Sequence, residues 1–234
     1  MRTASRFPLP AVLVALTAVA IISACKNSTP TAPSAAPTPV ATRLVLLTPA
    51  EQLSGIAGAP LGANAAVQVQ DAKGAPLGGA TVTWTAFDGS SVASATSTTD
   101  EQGIATIAWT LGTTAGVDSL QASVGSNITA YLVSAVQAGP VSQLVEVSGD
   151  QQMVAEGSSS SPLVVKAVDQ FGNAVSGVTV TWLDENGGAL NAATTVTDAN
   201  GIAQVTLTAD PTAEQYVIVA QTDVASVTFV EISN

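Results

Sequence analysis

The sequence predicts an all-β protein that contains two β-sandwich domains in tandem. Hydrophobic residues make up 47% of the 234 residues, whereas aromatic residues contribute 4% and charged residues 10%. Ala, Val, Leu and Ile accompanied by Thr, Ser and Gly are typical of short, half-buried strands joined by tight turns. One sequence unit also occurs twice, and apolar and polar residues alternate within each unit. Together these three observations indicate two similar sandwiches.

Residues 1–24 are predicted to be an export signal and not part of the fold. Two arginines precede an apolar run at 11–22, as in secretory signals, and the run is shorter than the about 20 residues of a membrane span. It ends in Ile-Ser-Ala-Cys, which resembles the lipobox of bacterial lipoproteins. The resemblance implies cleavage before Cys25, a diacylglycerol on its sulfur and an acylated N-terminus. The alternatives are an ordinary signal peptide with an incidental cysteine and an uncleaved anchor.

Residues 25–42 are predicted to be a lipidated cysteine followed by an extended tether. Four prolines lie among Ala, Ser and Thr, a composition that gives a semi-rigid chain with a reach of about 50 Å. Lys26 follows the cysteine, which resembles outer-membrane sorting in enterobacterial lipoproteins. We therefore expect an exported protein whose lipid on Cys25 holds it to a membrane, at the outer membrane or cell surface of a Gram-negative-type bacterium.

The charge and the missing residue types exclude several functions. Without residues 1–24, four basic residues remain against seventeen acidic residues, a net charge of −13. Such a surface repels nucleic acid, so we expect no nucleic-acid partner. The chain has no histidine and one cysteine, which excludes Ser-His-Asp and Cys-His catalysis and the common zinc sites. We expect no cofactor, no disulfide within the chain and a monomer.

The internal repeat predicts domains at 43–138 and 139–234. Between 71–110 and 169–208, 16 of 40 positions are identical at a constant offset of 98 residues. Solenoid repeats are shorter, about 20–50 residues, whereas an immunoglobulin-like domain has about 100. The short linker at 138–140 is expected to limit the freedom between two head-to-tail domains.

Each repeat is expected to contain about seven short strands separated by turn residues. In the first repeat they are predicted near 43–47, 65–71, 80–86, 92–98, 104–110, 118–124 and 128–134. In the second they are predicted near 143–147, 163–169, 178–183, 190–196, 202–208, 216–222 and 226–232. Apolar faces with a period of two need a covering sheet, which gives a two-layer sandwich.

Trp84, Trp109 and Trp182 are predicted to lie in the cores. Trp84 and Trp182 occupy the third strand of each repeat, where immunoglobulin-like domains place a core tryptophan. Without a disulfide beside them, apolar packing must hold each core. Tyr131 and Phe229, which match at the same offset on the last strand, are also expected to pack inside.

Three motifs of the repeat resemble the bacterial immunoglobulin-like family of invasin and intimin, often called Big-1. They are Asp-x-x-Gly from 71 and 169, Gly-x-Thr-Val-Thr-Trp from 79 and 177, and Thr-Asp-x-x-Gly-Ile-Ala from 99 and 197. The resemblance covers about 190 of the 234 residues. It implies stalk or surface-adhesion modules without catalytic residues. None of these residues is expected to form the outer-membrane barrel or the lectin-like domain of invasin and intimin.

Acidic turns of the second repeat allow two interpretations. Asp198 and Asn200, or Asp184 at the end of the third strand, look like fragments of a calcium loop. The interpretation that we favour is a hairpin turn, in which Asp caps its own backbone and Gly supplies a positive φ. That interpretation expects turn residues at equivalent places in both repeats: Asp100, Gly103, Asp198 and Gly201.

The functional expectation is a non-catalytic surface lipoprotein that acts as a stalk or adhesion module. The alternative is a module that binds a glycan or a protein through the tip loops of the distal domain, at 184–191 and 210–216. An apolar or aromatic patch on these loops favours binding, and a polar surface favours a spacer. An enzyme is the third class, because paired carboxylates can hydrolyse glycosides, but Asp184 and Glu185 are strand neighbours that point in different directions.

Overall fold

The computed structural model of the chain describes residues 38–49, 53–212 and 214–233. The predicted export signal, Cys25 and most of the predicted tether lie outside the described residues. The described residues form twenty strands and no helix. Accordingly, this part of the chain contains no helix long and apolar enough to cross a membrane.

The first repeat forms a three-stranded sheet, β1-β3-β7, a five-stranded sheet, β2-β10-β9-β4-β6, and the small pair β5-β8. The two larger sheets enclose a common core of apolar side chains. The strands are β1 Arg43–Leu46, β2 Ser54–Ile56, β3 Ala65–Gln70, β4 Thr81–Ala86, β5 Ser91–Val92, β6 Thr96–Thr98, β7 Ile104–Ile107, β8 Trp109–Thr110, β9 Gly116–Val124 and β10 Ile128–Gln137.

The second repeat has the same arrangement, with sheets β11-β13-β17 and β12-β20-β19-β14-β16 and the pair β15-β18. It encloses a core of its own. The strands are β11 Gln143–Ser148, β12 Met153–Val154, β13 Leu163–Val168, β14 Thr179–Asp184, β15 Ala189–Leu190, β16 Thr194–Val196, β17 Ile202–Val205, β18 Leu207–Thr208, β19 Gln215–Gln221 and β20 Ser226–Ser233. The prediction of two all-β, immunoglobulin-like sandwiches is therefore confirmed.

The strand count differs from the expected seven for two reasons. First, β2 and β12 are short strands that pair in parallel with the last strand of their repeat, and neither was predicted. Second, the strands predicted near 92–98 and 104–110 are each broken in two, because β5 and β8 leave the larger sheets and pair with each other. Strands that change partners in this way form the corners of a sandwich.

The cores show why each repeat needs its third-strand tryptophan. Trp84 is 3% exposed and Trp182 is 2% exposed. Each indole N–H donates to a hydroxyl on the neighbouring edge strand, to Ser97 over 2.9 Å and to Thr195 over 2.8 Å. Because a buried N–H without a partner is costly, these bonds let the rings lie inside. Trp109 is also buried, at 1% exposure, but its Nε1 has no partner among the described residues.

The expectation that Tyr131 and Phe229 occupy equivalent core positions is wrong for Tyr131. Phe229 is fully buried, whereas Tyr131 is 54% exposed and its hydroxyl accepts a hydrogen bond from Gln121. Leu132 faces Leu120 in the first repeat, and Phe229 faces Ile218 in the second. The hairpin before β20 is one residue shorter, so the offset becomes 97, and a shift of one residue moves a side chain to the other face.

Candidate functional site

The candidate functional site is the joint between the two domains, where side chains of the second domain contact the first. The contacts come from residues 169–173, here called the clasp loop, which follows β13. Asp169 Oδ1 accepts hydrogen bonds from the backbone N–H groups of Phe171 over 2.8 Å and Asn173 over 2.9 Å. This Asx turn fixes the loop. It therefore presents the side chains of Phe171 and Asn173 in fixed positions.

The carboxamide of Asn173 makes two hydrogen bonds to the backbone of the first domain. Its Nδ2 donates to the carbonyl of Thr113 over 2.8 Å, and its Oδ1 accepts from the N–H of Ala115 over 2.8 Å. A side-chain amide that satisfies both a carbonyl and an N–H of one loop fixes position and direction at once. Asn173 thus ties the two domains together.

Phe171 lies against Gly58 of the first domain, in the turn formed by residues 56–59, here called the receiving turn. A Cβ on Gly58 would lie 2.7 Å from the Phe171 ring, and Gly58 has a φ of +73°. Both facts require glycine at this position. The receiving turn therefore accepts the phenyl ring only because it has no side chain there.

Asp169 also holds the linker between the domains. Its Oδ2 accepts a hydrogen bond from the N–H of Gly139 over 2.9 Å, and the residue is 2% exposed. Burial raises the pKa of Asp169, but hydrogen bonds from Asn173, Gly139 and Phe171 outweigh that effect and hold the pKa below its ordinary value. The ionised carboxylate is therefore the form that fits the joint.

The loop that receives Asn173 is itself supported by a buried acid. Asp118, on β9, is 1% exposed, and its Oδ2 accepts a hydrogen bond from the N–H of Gly112 over 2.6 Å. Asp118 was not predicted to be buried, although it lies two residues before Leu120 on the inward face of the strand. The alternation of inward and outward residues could have indicated its burial. A carboxylate more often faces solvent, so this signal was missed.

The corresponding loop of the first repeat, residues 71–75, has the same turn but different side chains. Asp71 Oδ1 accepts from the N–H groups of Lys73 over 2.8 Å and Ala75 over 2.9 Å. Lys73 therefore takes the place of Phe171, and Ala75 takes that of Asn173. The side chains of Phe171 and Asn173, which contact the first domain across the joint, therefore have no equivalents in the first repeat.

The predicted tip loops of the second domain are polar. Across 184–191 and the described part of 210–216, the large hydrophobic side chains are at least partly buried. Tyr216 is fully buried, and its hydroxyl donates to the carbonyl of Asp210 over 2.6 Å. The described residues of these loops therefore lack the apolar or aromatic patch that would favour a binding module.

The structure places the predicted calcium and turn residues in self-contained turns. Asp198 Oδ1 accepts from the N–H groups of Asn200 over 2.8 Å and Ile202 over 2.9 Å, and these hydrogen bonds lower the pKa of Asp198. Asp100 makes the same two bonds in the first repeat. Within residues 38–49, 53–212 and 214–233, no three acidic or cysteine side chains are grouped so that they could hold a metal ion.

The glycines of these turns have tight surroundings. Gly103 and Gly201 have φ values of +71° and +75°. A Cβ on Gly103 would lie 2.8 Å from the carbonyl oxygen of Val69, and one on Gly201 2.6 Å from that of Ala167.

Asp184 is at the end of β14, where its Oδ1 accepts from the N–H of Asn186 over 3.1 Å. Its buried Oδ2 has no partner among the described residues.

Glu231 is a second buried acid that was not singled out in the sequence. It lies on β20 with no exposed surface; its Oε2 accepts from the N–H of Gln152 over 2.6 Å, and its Oε1 has no partner among the described residues. Burial raises the pKa of Glu231, the Gln152 bond opposes that change, and the charges of Asp150 and Glu146 raise it further.

Comparisons with solved structures find several bacterial surface proteins to which this chain is similar. The chain resembles the structure of the Escherichia coli adhesin FdeC, with 17% identity and a TM-score of 0.50 over 82% of this chain and 63% of that one. The Yersinia pseudotuberculosis adhesin InvE has 20% identity and a TM-score of 0.41 over 82% of this chain and 58% of that one. Invasin, described as a bacterial integrin-binding protein, has 22% identity and a TM-score of 0.37 over 82% and 39%.

The FdeC comparison, at this level of identity, bears on the fold alone. The chain spans less than two thirds of the FdeC structure that it matches. A search of curated protein sequences finds no match. The family model for the bacterial Ig-like domain (group 1) matches twice, at residues 61–136 and 145–232, and together these segments make up more than half of the chain. The chain therefore belongs to the bacterial Ig-like domain (group 1) family.

Proposed function

We propose that this protein is a non-catalytic lipoprotein of the bacterial cell envelope, in which two Ig-like domains form a surface stalk or adhesion module. The observation that carries this proposal is the clasp loop. Asn173 ties the second domain to the first through two hydrogen bonds, and Asp169 holds the linker. A rigid stalk needs a fixed orientation between its domains, whereas an enzyme active site within one domain does not require one.

The polar tip loops favour the spacer over the alternative functions. Recognition sites are rich in Tyr, Trp and Arg at their centres, and sugar-binding surfaces need an accessible aromatic face. Neither feature occurs in the described residues of 184–191 and 210–216. Binding of a glycan or protein there stays the second candidate. Enzyme activity stays the remote third candidate.

The stalk function is tested by replacing the contact residues of the clasp loop with their counterparts from the first repeat. In a Cys25→Ser background, spin labels at cysteines introduced for the exposed Thr96 and Thr194 report the distance between the domains. We expect a narrow distance distribution for the parent protein. The double variant Phe171→Lys, Asn173→Ala should broaden it, because the contacts between the domains are lost.

The reciprocal variant Lys73→Phe, Ala75→Asn is the matched control, since it changes the equivalent loop at the opposite end of the first domain. Its distance distribution should equal that of the parent. An unchanged distribution in the clasp-loop variant would show that these contacts do not fix the joint, and the stalk proposal would lose its support.

The anchoring part of the proposal rests on Cys25 and has a separate test. Cells that express the chain are labelled with radioactive palmitate and fractionated. We expect label on the protein and recovery with membranes, and for Cys25→Ser we expect no label and either release or accumulation of the precursor. If the Cys25→Ser protein fractionates with membranes as the parent does, the lipid anchor is wrong.

A further inference from the structure

The receiving turn of the first domain has a counterpart at the far end of the second domain, in residues 155–158, here called the distal turn. In each turn the N–H of the last residue donates to the carbonyl of the first, over 3.0 Å in the receiving turn and 2.9 Å in the distal turn. The third residue is Gly58 with φ +73° in one and Gly157 with φ +69° in the other. The two turns therefore present the same backbone surface.

The two glycines differ in what covers them. The Phe171 ring lies directly on Gly58, whereas a Cβ on Gly157 would meet no atom within 4 Å. The surface that receives a side chain inside the joint is thus present a second time, open, at the end of the second domain.

The side chains around the distal turn favour a different kind of side chain over the glycine than the phenyl ring at the joint. Ala57 precedes Gly58, whereas Glu156 precedes Gly157. The carbonyl that accepts from the N–H of the glycine belongs to Gly112 in the first repeat and to Ala209 in the second. Glu156 is exposed, whereas Ala57 is buried. A methylene stem that ends in a cation fits such a surface better than a phenyl ring does.

The first repeat presents such a side chain in the geometry of the clasp loop. Lys73 stands at the position of Phe171, in a turn whose Asx hydrogen bonds have the same lengths, and it is exposed. The pair at the internal joint is apolar on both sides, a phenyl ring on a glycine that follows the buried Ala57. The pair formed by the two outer ends is charged on both sides with opposite sign.

We propose that the distal turn of one copy of this chain binds loop 71–75 of a second copy. The stem of Lys73 lies over Gly157, and its ammonium group lies beside the carboxylate of Glu156. Because the two surfaces differ, the contact is heterologous and joins copies head to tail into open chains. This inference goes beyond the stalk function and holds with or without the lipid anchor.

The contact is small, so its affinity in solution is low. Exposed ion pairs contribute about 0–1 kcal/mol, and stable interfaces bury far more area than two loops provide. The association should weaken with salt.

Disulfide trapping detects a contact of this strength. In Cys25→Ser protein that also carries Ala72→Cys and Ser158→Cys, the introduced cysteines flank Lys73 and Gly157 and leave both unchanged. Mild oxidation should give a ladder of dimers, trimers and longer chains on a denaturing gel, and high salt should suppress it. The matched control pairs Ala72→Cys with Thr194→Cys, an exposed site on β16, and should form few cross-links.

Charge reversal decides whether the lysine and the carboxylate make the contact. Lys73→Glu or Glu156→Lys alone, in the trapping background, should slow ladder formation about fivefold or more, and both together should restore it. Lys166→Glu, which makes the same charge change on β13, should leave the rate unchanged.

Three results would overturn the proposal. The first is a ladder no faster than that of the control pair. The second is a rate of ladder formation that Lys73→Glu does not change. The third is an equal loss with Lys166→Glu, which would indicate a non-specific effect of charge.

Discussion

Replacing Glu231 by glutamine should stabilise the second domain at neutral pH. The Glu231 carboxyl group has no exposed surface, and its Oε1 has no partner among the described residues. The two charged groups that raise its pKa, Asp150 and Glu146, are also acids. Glutamine has nearly the same shape and keeps an oxygen to accept the hydrogen bond from Gln152. The substitution therefore removes the charge and leaves the packing.

The magnitude is the excess cost of a buried charge. A buried group without a partner costs about 1–3 kcal/mol and more when it is ionised, and the glutamine amide keeps the cost of a neutral group, so we expect a gain of about 1 kcal/mol. Each kcal/mol moves the midpoint of thermal unfolding by about 4–8 °C in a domain of this size. The gain depends on pH. Since the pKa of folded Glu231 is raised, the folded domain holds the proton more tightly, and the wild-type protein gains stability as pH falls through that raised pKa towards the ordinary value of 4.5.

Thermal unfolding followed by circular dichroism at about pH 8 and about pH 4 measures the effect. Glu231→Gln should exceed the wild type at the higher pH, and the difference should shrink at the lower pH. Glu185→Gln, which removes the same charge from an exposed residue that is not among those raising the pKa of Glu231, should change stability by about 0.5 kcal/mol or less. A variant that is less stable than the wild type at about pH 8, or an equal difference at both pH values, would refute this reasoning.

Three further substitutions and conditions test the cores, the turns and the joint. Trp182→Ala should destabilise the second domain by about 3–5 kcal/mol, and an unchanged midpoint of unfolding would place the ring outside the core. Gly201→Ala should cost clearly more than Gly177→Ala in a chemical unfolding series, because both have φ +75° but only Gly201 has a carbonyl within 2.6 Å of the added Cβ; equal losses would contradict this. The pKa of Asp169 is lowered, so its hydrogen bonds at the joint persist above the ordinary pKa of 3.8 and are lost as pH falls through the lowered pKa. The spin-label distance distribution should broaden in that pH range. Asp169→Asn should abolish this pH dependence.

The sandwich could be predicted because its signals are local and occur twice. Val82 and Trp84 alternate with threonines on β4, and the same pattern recurs at Val180 and Trp182. All four side chains are buried. Alternation, turn residues and the constant offset therefore agreed with each other over most of the repeat.

The errors arose where a single residue changed the register or the environment. The shorter hairpin before β20 exchanged the inward and outward faces, so Tyr131 and Phe229 could not be matched from the offset alone. Asp118 and Glu231 occupy inward positions, but a carboxylate in a strand usually indicates a solvent-exposed position. Their burial depends on backbone N–H groups that other segments supply.

The joint could not be predicted from the sequence, because its contacts connect segments that are far apart along the chain. Asn173 meets Thr113 and Ala115, and Phe171 meets Gly58, only after both domains have folded and docked. The available signal was a difference between the repeats. Phenylalanine and asparagine in the clasp loop replace lysine and alanine in loop 71–75, although both loops form the same turn.

The central claim is that the clasp loop holds the two domains in one fixed relation. Residual dipolar couplings, measured by NMR on weakly aligned protein with Cys25 replaced by serine, test it directly because each domain reports its own orientation. We expect the couplings from 43–138 and 139–234 to fit one alignment tensor. In the double variant Phe171→Lys, Asn173→Ala, the two domains should need two different tensors. Two different tensors in the parent protein would contradict the central claim.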